Sequence, residues 1–116
     1  LLVDDEGTIL VAGKNVLERR GYTVEVAEDG DRALDQYFEN PEKYDLIITD
    51  LTMSRMSGIE LTQHVRNAGS KVPIVLSSGN LEDDERANFK KAGISVFLQK
   101  PWTADQLIEC IDSLIV

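Results

Sequence analysis

Where the short apolar runs of this chain stop, side chains able to do chemistry begin. Asp4-Asp5 follow Leu1-Leu2-Val3, Asp50 follows Leu46-Ile47-Ile48 closely, Ser78 stands just past Ile74-Val75-Leu76, and Lys100 stands just past Val96-Phe97-Leu98. A carboxylate can attack phosphorus and become an aspartyl phosphate. Phosphoryl transfer otherwise asks for positioning and for neutralisation of the equatorial oxygens. An ammonium and a hydroxyl meet part of that demand, the hydroxyl by donating to a phosphoryl oxygen once the group has arrived. Three carboxylates brought together would repel one another unless a cation compensated them. Few carboxylates on a shallow edge, with positions left for water, suit Mg²⁺ better than Ca²⁺. With no Cys or His near them in this reading, zinc is not expected.

These side chains meet only if a particular scaffold gathers them. Leu46, Ile47 and Ile48 form a continuous apolar run with β-branched residues, the pattern of a strand buried on both faces of a parallel sheet. Leu1 to Val3 reads as the end of a first strand, and Thr23 to Ala27 alternates as a second. Val72 to Leu76 and Ile94 to Leu98 supply the fourth and fifth. Between them lie helical patterns. The first runs from about Gly7 to Arg20, with Ile9, Leu10, Val16 and Leu17 on one face and Gly21 as its stop. Gly13 inside it costs about 1 kcal/mol of helix propensity relative to Ala, which suits a close approach to the sheet.

The second helix turns Ala33, Leu34, Tyr37 and Phe38 inward and breaks at Asn40-Pro41. A third, beyond Gly58, carries Leu61 and Val65 and ends near Gly69. The fourth, Leu81 to Ala92, has a thin apolar face of Leu81, Ala87, Phe89 and Ala92, whereas the last, from about Ala104, has a full stripe of Leu107, Ile108, Ile111, Leu114 and Ile115. The expected fold is α/β: a doubly wound five-stranded parallel sheet in flavodoxin-like order 2-1-3-4-5, with helices on both faces. Parallel strand ends open on one edge, so Asp4, Asp5, Asp50, Ser78 and Lys100 converge there.

The totals narrow the function classes. At 116 residues the chain is one domain with one core. Twelve Lys+Arg against 21 Asp+Glu give a net charge of −9, which argues against direct binding to nucleic acid or to an anionic membrane. A lone cysteine, Cys110, rules out an internal disulfide and points to a reducing, cytoplasmic setting. No apolar stretch approaches membrane-spanning length and no signal peptide is visible. The sequence opens on Leu-Leu-Val and stops within a helical pattern, so we read residues 1–116 as one domain excised from a longer chain. His64, Cys110 and Trp102 read as packing or surface residues rather than chemistry.

Taken together, in this order and at these spacings, the acidic pair Asp4-Asp5, Asp50, the segment Met53 to Gly58, Ser78 and Lys100-Pro101 resemble the receiver domain of two-component response regulators across essentially the whole chain. The resemblance implies that Asp50 accepts a phosphoryl group from a histidine of a sensor kinase or phosphotransfer domain. It implies Mg²⁺ held by Asp5, Asp50 and the backbone carbonyl of Thr52, with Asp4 acting largely through water. Lys100 would pair with the phosphoryl group or the Asp50 carboxylate, and the Lys100–Pro101 bond would be cis. Thr52 and Asn80 fall where the family tunes the lifetime of its phosphate. The departures are Ser54 in place of a usual proline, Ser78 in place of the commoner threonine, and Phe97 where a tyrosine often reports activation. Phosphorylation would then draw Ser78 toward the phosphoryl group, let Phe97 move, and switch a surface read by an output domain or protein. The Ser-Ser-Gly ending and the Asp-Leu-Thr-Met run are similar to receivers of hybrid sensor kinases.

Two other readings compete. A small Mg²⁺-dependent phosphatase with an aspartate nucleophile commonly carries a second acid two residues later, and that position is Thr52 here. A receiver-like fold that only binds partners usually lacks the acidic pair, the acceptor or the lysine, and all are present.

Overall fold

The computed structural model describes residues 1–79 and 83–115. Five parallel strands, β1 (Leu2–Val3), β2 (Val26–Ala27), β3 (Ile47–Asp50), β4 (Ile74–Ser78) and β5 (Val96–Gln99), form one sheet in the order β2-β1-β3-β4-β5. Five helices alternate with them: α1 (Gly7–Arg19), α2 (Gly30–Glu39), α3 (Gly58–Asn67), α4 (Asp83–Ala92) and α5 (Ala104–Ile115). This is the doubly wound topology that the alternation of patterns predicts. Among the described residues no helix is long and apolar enough to cross a membrane.

Strand alternation divides the core in two. Leu2, Ile48, Val75 and Leu98 pack with Leu10 and Leu17 of α1 and with Leu107 and Ile111 of α5. Val3, Ile47, Ile74 and Leu76 pack on the opposite face with Ala33 and Tyr37 of α2 and with Leu61 and Val65 of α3. Gly13 is needed where α1 meets the first of these cores. A Cβ there would lie 2.8 Å from Leu2 Cδ2 and 3.5 Å from Trp102 Cη2, so its absence lets β1 and the β5–α5 connection close on the helix. Trp102 is therefore a packing residue, as expected.

Several boundaries differ from the sequence pattern. β2 is two residues rather than five, because it is an edge strand whose only neighbour is the equally short β1. Asp50 is the last residue of β3 instead of standing beyond it, since its register with Ser77 continues the ladder. Phe38 is 41% exposed and Ile115 is 37% exposed, although both fit an apolar stripe. Phe38 packs edge-on against Tyr37 on α2, and Ile115 is the last residue of α5. Val11 is 62% exposed. Leu81, read as part of the fourth helix's apolar face, lies outside the described residues.

Candidate functional site at the carboxyl edge of the sheet

Each element delivers its side chain for a local reason. β1 ends where apolar sequence gives way to Asp4, whose Oδ1 accepts from the Glu6 backbone N–H at 2.9 Å and so turns the chain toward α1. β3 delivers Asp50 between β1 and β4. The loop that follows folds back sharply, with the Gly58 N–H donating to the Leu51 carbonyl at 2.8 Å. A Cβ on Gly58 would sit 2.3 Å from the Asp50 carbonyl oxygen, so only glycine allows this return. Ser57 then caps α3 by accepting from Glu60 N. β5 ends one residue before Lys100, whose backbone N–H donates to the Ser78 carbonyl at 2.8 Å. The Lys100–Pro101 bond is cis, as the resemblance implied.

The convergence is as predicted for the charged groups. Lys100 Nζ donates to Asp4 Oδ2 at 2.8 Å and to Asp50 Oδ1 at 3.1 Å. Its side chain is 16% exposed, against 3% for Asp4 and 11% for Asp50, so this is a largely desolvated ion pair. Burial pushes the Asp50 carboxyl above its ordinary value; Lys100 opposes that shift, while Asp4 and Asp5 add to it. For Lys100 burial works against the ammonium, yet its hydrogen bonds and attraction to Asp4 and Asp50 leave it held above its ordinary value. One ammonium thus compensates the two buried carboxylates only in part.

Asp4, Asp5 and Asp50 each bring a carboxylate oxygen within 4.8 Å of the other two. Asp5 is exposed, and both oxygens of Asp4 are already engaged, one by Glu6 N–H and one by Lys100. Among the described residues, the Asp5 carboxylate and the second oxygen of Asp50 accept no hydrogen bond. The donor set is all oxygen, anionic and partly solvated, and it fits a hard divalent cation that keeps several waters. Thr52 is exposed two residues beyond Asp50. Ser78 ends β4 half-exposed, on the strand face opposite to Ser77 and shared with Leu76. Phe97 pairs with Leu76 across the β4–β5 ladder and lies under α4, with the Phe89 ring centroid 6.5 Å away and the Arg86 guanidinium 5.9 Å from its own centroid. Asn80 lies outside the described residues.

His64 is exposed on α3, away from this edge, and Cys110 is half-buried on α5, where burial pushes its thiol up. One site residue was not singled out from sequence. Ser77 is 3% exposed, pairs in register with Asp50, and its hydroxyl finds no hydrogen-bond partner among the described residues. The doubled serine was visible, but which of the two faces the acids depends on register.

A doubly wound sheet carrying an acid cluster and a lysine at its carboxyl edge defines a class. The response regulator receiver domain matches residues 1–112, and the chain belongs to this family. It is 37% identical over 107 residues to the sensor protein EvgS of Escherichia coli, a match covering 92% of this chain and 9% of that protein. It is 32% identical over 108 residues to the transcriptional regulatory protein DltR of Streptococcus agalactiae, covering 93% of this chain and 47% of the relative. Among solved structures, the chemotaxis protein CheY4 of Vibrio cholerae aligns with a TM-score of 0.91 at 28% identity, over 97% of this chain and 94% of that one. The chain spans less than half the length of either curated relative named here.

Proposed function

We propose that this domain is a phosphoacceptor signalling module in which Asp50 takes a phosphoryl group from a phosphohistidine of a sensor kinase or phosphotransfer domain. The observation that carries the reading is the Lys100 ammonium bridging Asp4 Oδ2 and Asp50 Oδ1 at a buried edge that a third acid also reaches. In this reading one carboxylate oxygen of Asp50 attacks phosphorus in line, the P–N bond to the donor imidazole breaks, and the imidazole nitrogen keeps the electron pair. Lys100 moves from Asp50 Oδ1 toward the new phosphoryl oxygens, and Ser78 donates its hydroxyl to another. Mg²⁺ would be held by Asp5, Asp50 and the Thr52 carbonyl, with Asp4 through water, and when bound it supplies neutralisation of phosphoryl charge.

The alternation of β4 puts Ser78 on the face that carries Phe97, which supports the switch reading. Drawing Ser78 toward the phosphoryl group frees space beneath α4, Phe97 shifts between Phe89 and Arg86, and the α4–β5 surface is offered to an output domain or protein in a new pose. Thr52 and Asn80 tune how long the phosphoryl group stays. The module works in the cytoplasm as one domain of a longer chain, turning over no substrate beyond its own phosphorylation and dephosphorylation. Thr52 in place of a second acid speaks against the phosphatase reading.

Intact-mass measurement after incubation with a small acyl phosphate and Mg²⁺ tests the proposal. A single phosphoryl adduct that disappears in Asp50→Asn is expected. An unlabelled wild type overturns the acceptor role, and steady-state release of phosphate from a phosphomonoester would revive the phosphatase.

A further inference from the structure

Alternation and register assemble a second row of side chains that the acceptor chemistry above does not use. Leu2, Ile48, Val75 and Leu98 all face α1 and α5. Two residues on in β1 and β3, and two on in β4, the same face therefore carries Asp4, Asp50 and Ser77. Ser77 stands directly opposite Asp50 on one side and Leu98 on the other. Lys100 follows Leu98 by two residues, so its side chain must cross the end of β4 to reach Asp50 and Asp4. In strand order Ser77 stands between the two ends of that crossing, on the same face.

The donor and acceptor count is incomplete at this point. An ammonium has three N–H donors, and Lys100 uses them on Asp4 and Asp50 only among the described residues. Ser77 Oγ is buried and unpartnered. A buried hydroxyl without a partner is destabilising and asks for an explanation. An apolar side chain of similar size would fill the same place without that cost.

We propose that Ser77 is a positioning residue for Lys100. Its hydroxyl accepts an N–H of the ammonium when Lys100 leaves Asp50 Oδ1 for an arriving phosphoryl group, which keeps the ammonium above β4 instead of letting it collapse onto Asp4. The inference rests on the phosphoacceptor reading. It assigns to this chain two hydroxyls with separate duties: Ser78 toward the phosphoryl oxygens and the α4 face, Ser77 toward the lysine and the α1–α5 face.

The test combines Ser77→Ala, Ser77→Thr and Lys100→Ala, alone and with Ser77→Ala, measuring phosphoryl uptake from a small acyl phosphate at saturating Mg²⁺ alongside the thermal midpoint. Ser77→Ala should fold with an unchanged or higher midpoint, because it removes an unsatisfied buried group, yet take up phosphoryl about tenfold more slowly, the lower end of the worth of one hydrogen bond to a charge. Ser77→Thr should recover most of the rate. In the Lys100→Ala background the serine substitution should change the rate less than about twofold, since its effect passes through the lysine. Equal slowing in both backgrounds, or an unchanged rate in Ser77→Ala, overturns the positioning role while leaving the acceptor reading intact. An unlabelled wild type overturns the acceptor reading and this inference with it.

Discussion

β5 is covered by a helix on each face, and the two coverings differ sharply. α5 buries Leu107 and Ile111 completely against Val75 and Leu98, and Trp102 ties its entry to α1 at Gly13. α4 offers no buried side chain from Glu85 to Ala92; its main hold on the sheet is the half-buried Phe89 beside Phe97. Both helices neighbour the same chemistry, because Lys100 leads into α5 and Ser78 lies on the face α4 covers. On the proposed phosphoacceptor reading, this inequality keeps the backbone that carries Lys100 in place while the opposite face moves. The α5 side is the more deeply packed, and the thinner α4 side is the one expected to open more readily.

Exchange of the two anchors is the strongest way to break that contrast. Ile111→Ala should cost about 3 kcal/mol, as expected for a fully buried aliphatic with little room to relax, whereas Phe89→Ala should cost only about 1 kcal/mol. Chemical denaturation of both variants measures the gap, and equal costs would abolish the distinction between the faces. Native-state hydrogen exchange sharpens the same point without mutation. Amides of residues 87–92 should exchange at least about tenfold faster than those of residues 107–113, reflecting a shallower local opening free energy.

The next effect concerns the acids themselves. Asp50→Asn removes a buried carboxyl that is held above its ordinary value, mainly by burial. A raised folded-state value means the folded protein binds this proton more tightly than the unfolded chain. The stabilising contribution is therefore present below the ordinary carboxylate value and is lost as pH rises through Asp50's own titration. In the absence of Mg²⁺, Asp50→Asn should thus be more stable than wild type near neutral pH by about 1 kcal/mol, with the gap closing as pH falls. A gap independent of pH between about 3 and 7, the range over which carboxylates titrate, would count against the burial of this carboxyl as its cause. The smallest expected change is in Ser78→Ala: stability within about 0.5 kcal/mol of wild type, but loss of the phosphorylation-dependent protection change in residues 85–97. Retention of that change would detach α4 from the site.

The charged part of the site was legible because it obeys a rule that needs no coordinates. Asp4, Asp5, Asp50 and Lys100 each follow an apolar run, and parallel strands bring such positions to one edge. Ser77 and Ser78 show where that logic stops. Adjacent serines face opposite sides of a strand, and only pairing register assigns Ser77 to Asp50 and Ser78 to the side of Phe97. Phe38 and Ile115 fail for a different reason. Helical periodicity gives a side chain's angle about the helix axis but not whether another element covers it, so a residue can keep the right angle and still be exposed. β2 shrinks because an edge strand can pair no further than its single neighbour.

The bond between Lys100 and Asp4 joins residues 96 positions apart, and that between Lys100 and Asp50 spans 50. During synthesis, which proceeds from the N-terminal end, the two buried acids emerge long before their counter-charge. A partial chain ending before β5 contains Asp50 but leaves it without its ammonium and without the strand that carries it. On the proposed phosphoacceptor reading, competence to receive a signal arrives with the last sixth of the domain, and a copy that ends before β5 is silent.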